Sequence, residues 1–277
     1  MSTGGGQQQG QHDDQGQAGE SPRRKRKSRK GEGKPLAAPE PPPPEDTRAQ
    51  RVLYVGCEGE STEPDYLNYL NERFGDGKLT GGRRFRIQPV YARNGLTPAR
   101  VVAQVQAKAE EDEAWALFDR DQHHDIPEAL ERAAEQGTEV CFSHPSFDLW
   151  LLLHFQAFGG RRSGSSKDVV DALRQAHSAF KDFDKRNNKS VKEGRRTALD
   201  KKESDAVSRA RSMVKQCEHG TCKAKSTRKD RYQWDGAPER PDPLIPDSGH
   251  AADCPVLDRD PSTDVWRLLV SLEIVDA

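Results

Sequence analysis

Arg51-Val52-Leu53-Tyr54-Val55-Gly56-Cys57-Glu58-Gly59-Glu60-Ser61-Thr62-Glu63-Pro64 sets the fold of this chain. Val52 to Val55 is a short apolar run and reads as a strand buried on both faces. It ends in Glu58-Gly59, where glycine allows a turn and the close approach of a phosphate. From Pro64 to Phe74 the apolar residues Tyr66, Leu67, Leu70 and Phe74 follow a helical spacing. A buried strand thus passes through an acidic turn into a helix.

The same alternation continues outward. Phe85 to Tyr91 reads as a second strand. Thr97 and Pro98 supply an N-cap and a first-turn proline for a helix whose apolar face is Val101, Val105 and Ala109. Ala114 to Phe118 is a third strand, and a helix from Asp125 and Pro127 stops at Gly137. Val140 to Phe142 is a fourth strand, followed by a strongly apolar helix from Pro145 to Phe158. Strand and helix in strict alternation imply an α/β fold with a four-stranded parallel sheet and helices on both faces.

The flanks differ in composition. Residues 1–49 hold Gln/Gly repeats, the basic run Arg23-Arg24-Lys25-Arg26-Lys27 and four consecutive prolines, and read as a disordered tail. Residues 50–160 form the expected sheet domain. Residues 161–277 are expected to be a helical, basic extension that packs on the sheet. Its helices are read over Asp168 to Phe180, over a seam of Val207, Ala210, Val214 and Cys217, and over Val265 to Leu272. Thr197 and Asp200 resemble a capping box before the second, and Ser262 or Thr263 caps the last.

The 277 residues carry a formal net charge of −1, which conceals an asymmetry. Residues 50–160 hold 18 acidic against 11 basic side chains, and residues 161–232 hold 21 basic against 10 acidic. An acidic block beside a basic one suits a metal-type site next to a polyanion-binding surface, and equally suits solvated helix faces. A mean hydropathy of −0.97 and the lack of any run of about 18 apolar residues exclude a membrane-spanning helix. No secretory h-region opens the chain, and five cysteines without regular spacing fit a reducing, cytoplasmic setting.

Ligands of open parallel sheets sit at the carboxyl ends of the strands. Glu58, Glu60 and Glu63 follow the first strand, Asp119-Arg120-Asp121 the third, and Ser143, His144 and Asp148 the fourth. If the first and third strands are neighbours, these carboxylates converge on one rim. Crowded carboxylates raise one another's pKa values unless a cation compensates, and hard oxygen donors suit Mg2+ or Mn2+.

Cys57-Glu58-Gly59-Glu60-Ser61-Thr62-Glu63-Pro64, with Phe118-Asp119-Arg120-Asp121, resembles the Toprim nuclease domain and, more closely, the RloB-like family. That family carries C-E-G-x-x-T-E-P, F-D-x-D and S-N-P-x-F-E-L-W-L-L-H-F elements. The last is matched by Ser143-His144-Pro145-Ser146-Phe147-Asp148-Leu149-Trp150-Leu151-Leu152-Leu153-His154-Phe155, with His144 in place of Asn and Asp148, one methylene shorter, in place of Glu. The resemblance covers about residues 51–158, and loosely the closing helix.

The resemblance implies a Rossmann-like Toprim fold and a Mg2+- or Mn2+-dependent phosphodiesterase. Glu58, Glu63, Asp119 and Asp121 would be metal ligands, and Asp148 and His154 further catalytic residues. Arg120 would stabilise charge developing on the phosphate; outside the span of the resemblance, Lys185 and Lys189 of the basic loop are candidate substrate-binding residues, with solvated lysines the commoner reading. The implied setting is abortive-infection-type phage defence beside an AAA/ABC-type ATPase, with RNA, tRNA included, or DNA as substrate. The alternative is a non-catalytic component that binds nucleic acid and the ATPase. The oligomeric state, a homo-oligomer included, is left open.

Other side chains have blander readings. His123 and His124 read as exposed loop histidines, and Cys57 and Cys141 as small core residues. Cys217, His219, Cys222, His250 and Cys254 suggest zinc, but Cys-x4-Cys is a loose spacing, Cys217 completes a helix seam and no C-x2-C pair is present.

Overall fold

Alternate side chains of the central strands enter two different apolar layers. The computed structural model describes residues 50–120, 123–159, 165–220, 222, 245 and 247–276. Residues 1–49, read above as a tail, lie outside them, and the described residues belong to one compact unit. The strands are β1 (Arg51–Cys57), β2 (Phe85–Val90), β3 (Glu113–Asp119), β4 (Glu139–His144) and β5 (Ser262–Thr263). The helices are α1 (Thr62–Phe74), α2 (Pro98–Ala109), α3 (Ile126–Gln136), α4 (Asp148–Leu153), α5 (Ser166–Ala176), α6 (Gly194–Leu199), α7 (Glu203–Met213) and α8 (Val265–Ser271).

The sheet runs in the order β2-β1-β3-β4-β5. The first four strands are parallel and β5 is antiparallel to β4. The expected four-stranded parallel sheet is therefore corrected to a five-stranded, mostly parallel one. Ser262 and Thr263, expected to cap a helix, instead pair with His144 and Ser143. Two residues carry no readable periodicity. They are held by a 3.0 Å contact between the Ser143 and Thr263 hydroxyls and by the Asp264 N–H, which donates to the Phe142 carbonyl at 2.9 Å.

One layer joins Leu53, Val55, Cys57, Trp115, Leu117 and Cys141 of the sheet to α1, α4, α5, α7 and α8. The other joins Ala114, Ala116, Phe118, Val140 and Phe142 to α2 and α3. This is the period-two alternation of strands buried on both faces. Gly56 faces α2, where an added Cβ would stand 2.7 Å from a Val101 methyl. That close approach seats α2 on β1.

Three helices differ from expectation for local reasons. The helix read over Pro145 to Phe158 is α4 alone. Tight i→i+3 bonds from the His154 and Phe155 amides to the Leu151 and Leu152 carbonyls end it. Every residue of α4 is buried, so it is a core helix with no solvent face. The helix read over Asp168 to Phe180 stops at Ala176, because His177 turns extended and Phe180 falls in a separate 3-10 turn. The Thr197/Asp200 capping box does not form. Thr197 lies inside α6, with its hydroxyl on the Glu193 carbonyl, and Asp200 is extended before α7 begins.

The C-terminal helices pack on the sheet unit, and buried charge helps seat them. Arg267 of α8 donates to the Val140 carbonyl at 2.8 Å and to Glu139 at 2.5 Å, with its guanidinium 5.9 Å from the Trp115 ring centre. Replacing Arg267 by Met keeps the stem and removes these charge-assisted bonds, each kind contributing about 1.5–3 kcal/mol. Urea unfolding of Arg267→Met should show a loss of about 2 kcal/mol. A change within about 0.5 kcal/mol would mean that apolar packing alone holds α8.

Candidate functional site

The strand order reverses direction between β1 and β3, the place where open α/β sheets leave a crevice beyond their carboxyl ends. Register fixes what meets there. Cys57 is level with Leu117, so Glu58 lies beside the end of β3, where Asp119 is level with Ser143 of β4. The Asp119 N–H donates to Glu58 Oε2 at 3.0 Å. Glu58 and the end of β3 are thus joined at the sheet's carboxyl edge by a bond to the Asp119 backbone.

A cleft of about 720 Å3 opens over this point. Glu58, Glu60 and Glu63 line it from the turn after β1 and the start of α1, Asp119 from β3, and Asp148 from the start of α4. Glu63 reaches back to accept the Gly59 N–H at 3.3 Å. A Cβ on Gly59 would stand 2.6 Å from the Glu63 carboxylate, so the glycine makes this approach possible.

The basic loop between α5 and α6 is fastened against the same edge. Asp65 of α1 accepts the Val191 N–H at 3.0 Å, and the Thr62 hydroxyl donates to the Lys189 carbonyl at 3.0 Å. These bonds deliver Lys189, whose ammonium lies 3.4 Å from Asp148. Asp184 and Asn187 of the loop also line the cleft.

The other predicted residues divide. Lys185 is not brought to the cleft and pairs with Asp182 at 2.8 Å on the exposed side of its loop. Arg120 borders a neighbouring cleft with His124 and Leu257. His154 is 1 % exposed, with Nδ1 2.9 Å from the Trp150 carbonyl and Nε2 3.4 Å from the Tyr66 hydroxyl. It belongs to the aromatic core under α1 and does not line the cleft. Asp121 lies outside the described residues.

Sequence reasoning assigned no role to two basic cleft residues. His123, read as an exposed loop histidine, places Nε2 2.8 Å from Glu58 Oε1. Arg100 lines the cleft from the first turn of α2, with no ion-pair partner among the described residues. The signal for Arg100 was its position one turn into a helix that starts at the sheet's carboxyl edge. Much of the basic block is structural instead. Arg195 donates to the Ala179 and Ser190 carbonyls and lies over Phe180 and Phe183, while Arg196 binds the Val191 carbonyl and Glu72.

Six carboxylates therefore line the cleft against one lysine and one arginine. Burial, joined by repulsion from Asp148 and Glu58, pushes Glu63 up to about 7. Burial, with repulsion from Glu63 and Glu58, holds Asp119 well above the usual carboxylate range. The donor set is all hard oxygen and fits Mg2+ or Mn2+. No three of these oxygens meet within 4.8 Å of one another among the described residues. Glu58 and Glu63 are turned instead to the Asp119 and Gly59 amides.

Fold and cleft define a mixed α/β protein with an acidic crevice at the turning point of its sheet. Residues 53–272 match the RloB-like protein family, and the chain belongs to that family. Comparison with curated proteins and with solved structures finds no match.

The raised carboxyl pKa values set a sign. A folded state that holds a proton above the ordinary pKa loses stability as pH rises from about 4.5 through about 7. His154 and His250, held neutral down to about 4 by burial, act in the opposite sense below the ordinary histidine range. The informative quantity is therefore a difference between variants. In EDTA, Glu63→Gln should gain thermal stability over the parent as pH rises from 5 to 8, and added Mn2+ should shrink that gain. A pH-independent difference would show that Glu63 is not held protonated.

Proposed function

We propose that this chain is a divalent-metal-dependent nuclease with a Toprim-like variant of the Rossmann arrangement, acting on RNA, tRNA included, or DNA in phage defence beside an ATPase. The observation that carries the proposal is the excess of carboxylates at the β1/β3 crevice. The family assignment and the Glu-Gly and Phe-Asp elements support it.

Glu58, Glu63 and Asp119, with Asp121 from the sequence pattern, would hold Mg2+ or Mn2+, and Asp148 borders the same space. A bound cation supplies Lewis-acid stabilisation of a phosphodiester and a stronger water nucleophile.

The chain's own residues do the rest. The Asp119 amide and His123 orient the Glu58 carboxylate. Glu63, poised near neutrality, gives up a proton when positive charge enters the cleft. Lys189 and Arg100 flank the carboxylates and would hold phosphate oxygens without reading base sequence. Their two charges make binding fall with salt. No helix among the described residues is long and apolar enough to cross a membrane, which fits action on nucleic acid in the cytoplasm.

The test is incubation of the full chain, with and without an AAA/ABC-type ATPase of the proposed kind, on total tRNA and plasmid DNA in Mg2+ or EDTA. Cleavage should require Mg2+. Glu58→Ala and Asp119→Ala should each lose more than the ~100-fold that supporting residues around a metal cost. Lys189→Ala should weaken substrate binding and its salt dependence. Salt-sensitive binding without cleavage under any condition would favour the non-catalytic, nucleic-acid- and ATPase-binding reading. Unimpaired cleavage by Glu58→Ala and Asp119→Ala would remove the site assignment.

A further inference from the structure

Outside the cleft, four side chains that the proposed reaction does not use converge from two distant parts of the chain. Cys217 and Cys222 follow α7, and His250 and Cys254 precede β5. Cys217 Sγ and Cys254 Sγ are 3.7 Å apart. His250 Nδ1 lies 3.6 Å from Cys222 Sγ and 3.7 Å from Cys254 Sγ. All four donor atoms fall within 4.8 Å of one another.

Those separations have a geometric meaning. Zinc bonds of about 2.3 Å to sulfur and 2.0–2.1 Å to nitrogen, set at the tetrahedral angle, put sulfurs about 3.8 Å apart and sulfur and nitrogen about 3.6 Å apart. A disulfide would need sulfurs at about 2.05 Å, and all five cysteines are free. The three cysteines also share a small apolar cluster with Ala251, but apolar packing gives no reason for an imidazole nitrogen to face two sulfurs.

The surroundings are those of held ligands. The Ala251 N–H donates to Cys222 Sγ at 3.2 Å, and the Cys254 N–H to the Ala251 carbonyl at 3.0 Å. The buried Arg259 guanidinium donates to the Cys254 carbonyl at 3.1 Å and to the Ser248 hydroxyl at 3.3 Å. Such outer contacts fix the turns that carry ligands. His219, the fifth residue of the sequence pattern, is not among the four.

We propose that Cys217, Cys222, His250 and Cys254 form a structural zinc site, which pins the segment after α7 to the segment that leads into β5. Four protein ligands leave no open coordination position, so the site is closed and not catalytic. Three sulfurs and one imidazole select zinc over the hard cations suited to the carboxylate cleft. The ion closes the loop between Cys222 and His250 and so stabilises the docking of β5 and α8 on the sheet.

The test uses the full chain without a polyhistidine tag, purified without chelator. Elemental analysis should find one zinc per chain that survives dialysis and is released by a thiol-blocking mercurial. Cobalt exchanged into the site should give the intense visible bands of tetrahedral coordination and a near-ultraviolet sulfur-to-metal band. The Cys217→Ser/Cys254→Ser double variant should lose the metal, and His250→Cys should retain it. Less than a tenth of a zinc per chain together with a cobalt spectrum lacking the sulfur band would overturn the proposal. So would full zinc retention by the double variant. The wild-type measurement decides even if that variant does not fold.

Discussion

The register of β1 against β3 is the constraint on which the cleft depends. Parallel pairing brings Glu58 level with the end of β3, and the Asp119 amide then holds its carboxylate. A slip of one residue would turn every side chain of β1 to the opposite face and bury Tyr54 where Leu53 and Val55 now pack. The apolar pattern of β1 therefore fixes the position of an acid that is not itself part of the core. Gly56 contributes by letting α2 lie against the strand, so the wall that carries Arg100 sits close to Glu58.

A second constraint is electrostatic. Burying Glu63 and Asp119 beside Glu58 and Asp148 costs free energy that Lys189 and Arg100 cannot offset in number. Backbone amides meet the Glu58 and Glu63 carboxylates, and burial favours the protonated forms of Glu63 and Asp119. In the proposed function a divalent cation would take the place of those protons. The tethers from Asp65 and Thr62 to the basic loop matter for the same reason, because they hold a lysine at the edge of a negative field. The sulfur-rich cluster after α7 answers to a different chemistry, and its soft donors separate it from the cleft.

The sequence showed the alternation of strands and helices and the acids that end the strands, because both depend on short-range pattern and on position at strand ends. It did not show β5, whose two residues have no period, or the early end of α4, which tight turn bonds decide. Arg259 and Arg267 were unreadable as interior residues, since their burial depends on carbonyls brought from elsewhere in the chain. His123 was undervalued because its partner, Glu58, lies on another strand's loop. His154 was overvalued because a family motif records that a position matters without saying whether for packing or for chemistry. The Cys/His group was visible as a candidate zinc set but undecided, because its spacing is loose and its two halves are brought together by tertiary structure alone.

The central claim is that the carboxylates at the β1/β3 crevice are arranged for a divalent cation. Calorimetric titration of the chelator-stripped full chain with Mn2+, in buffers of different ionisation enthalpy, tests it most directly. Binding should be accompanied by proton release near neutral pH and should weaken at least tenfold in Asp119→Asn. Absence of Mn2+ binding, or equal affinity in parent and variant with no protons released, would contradict it.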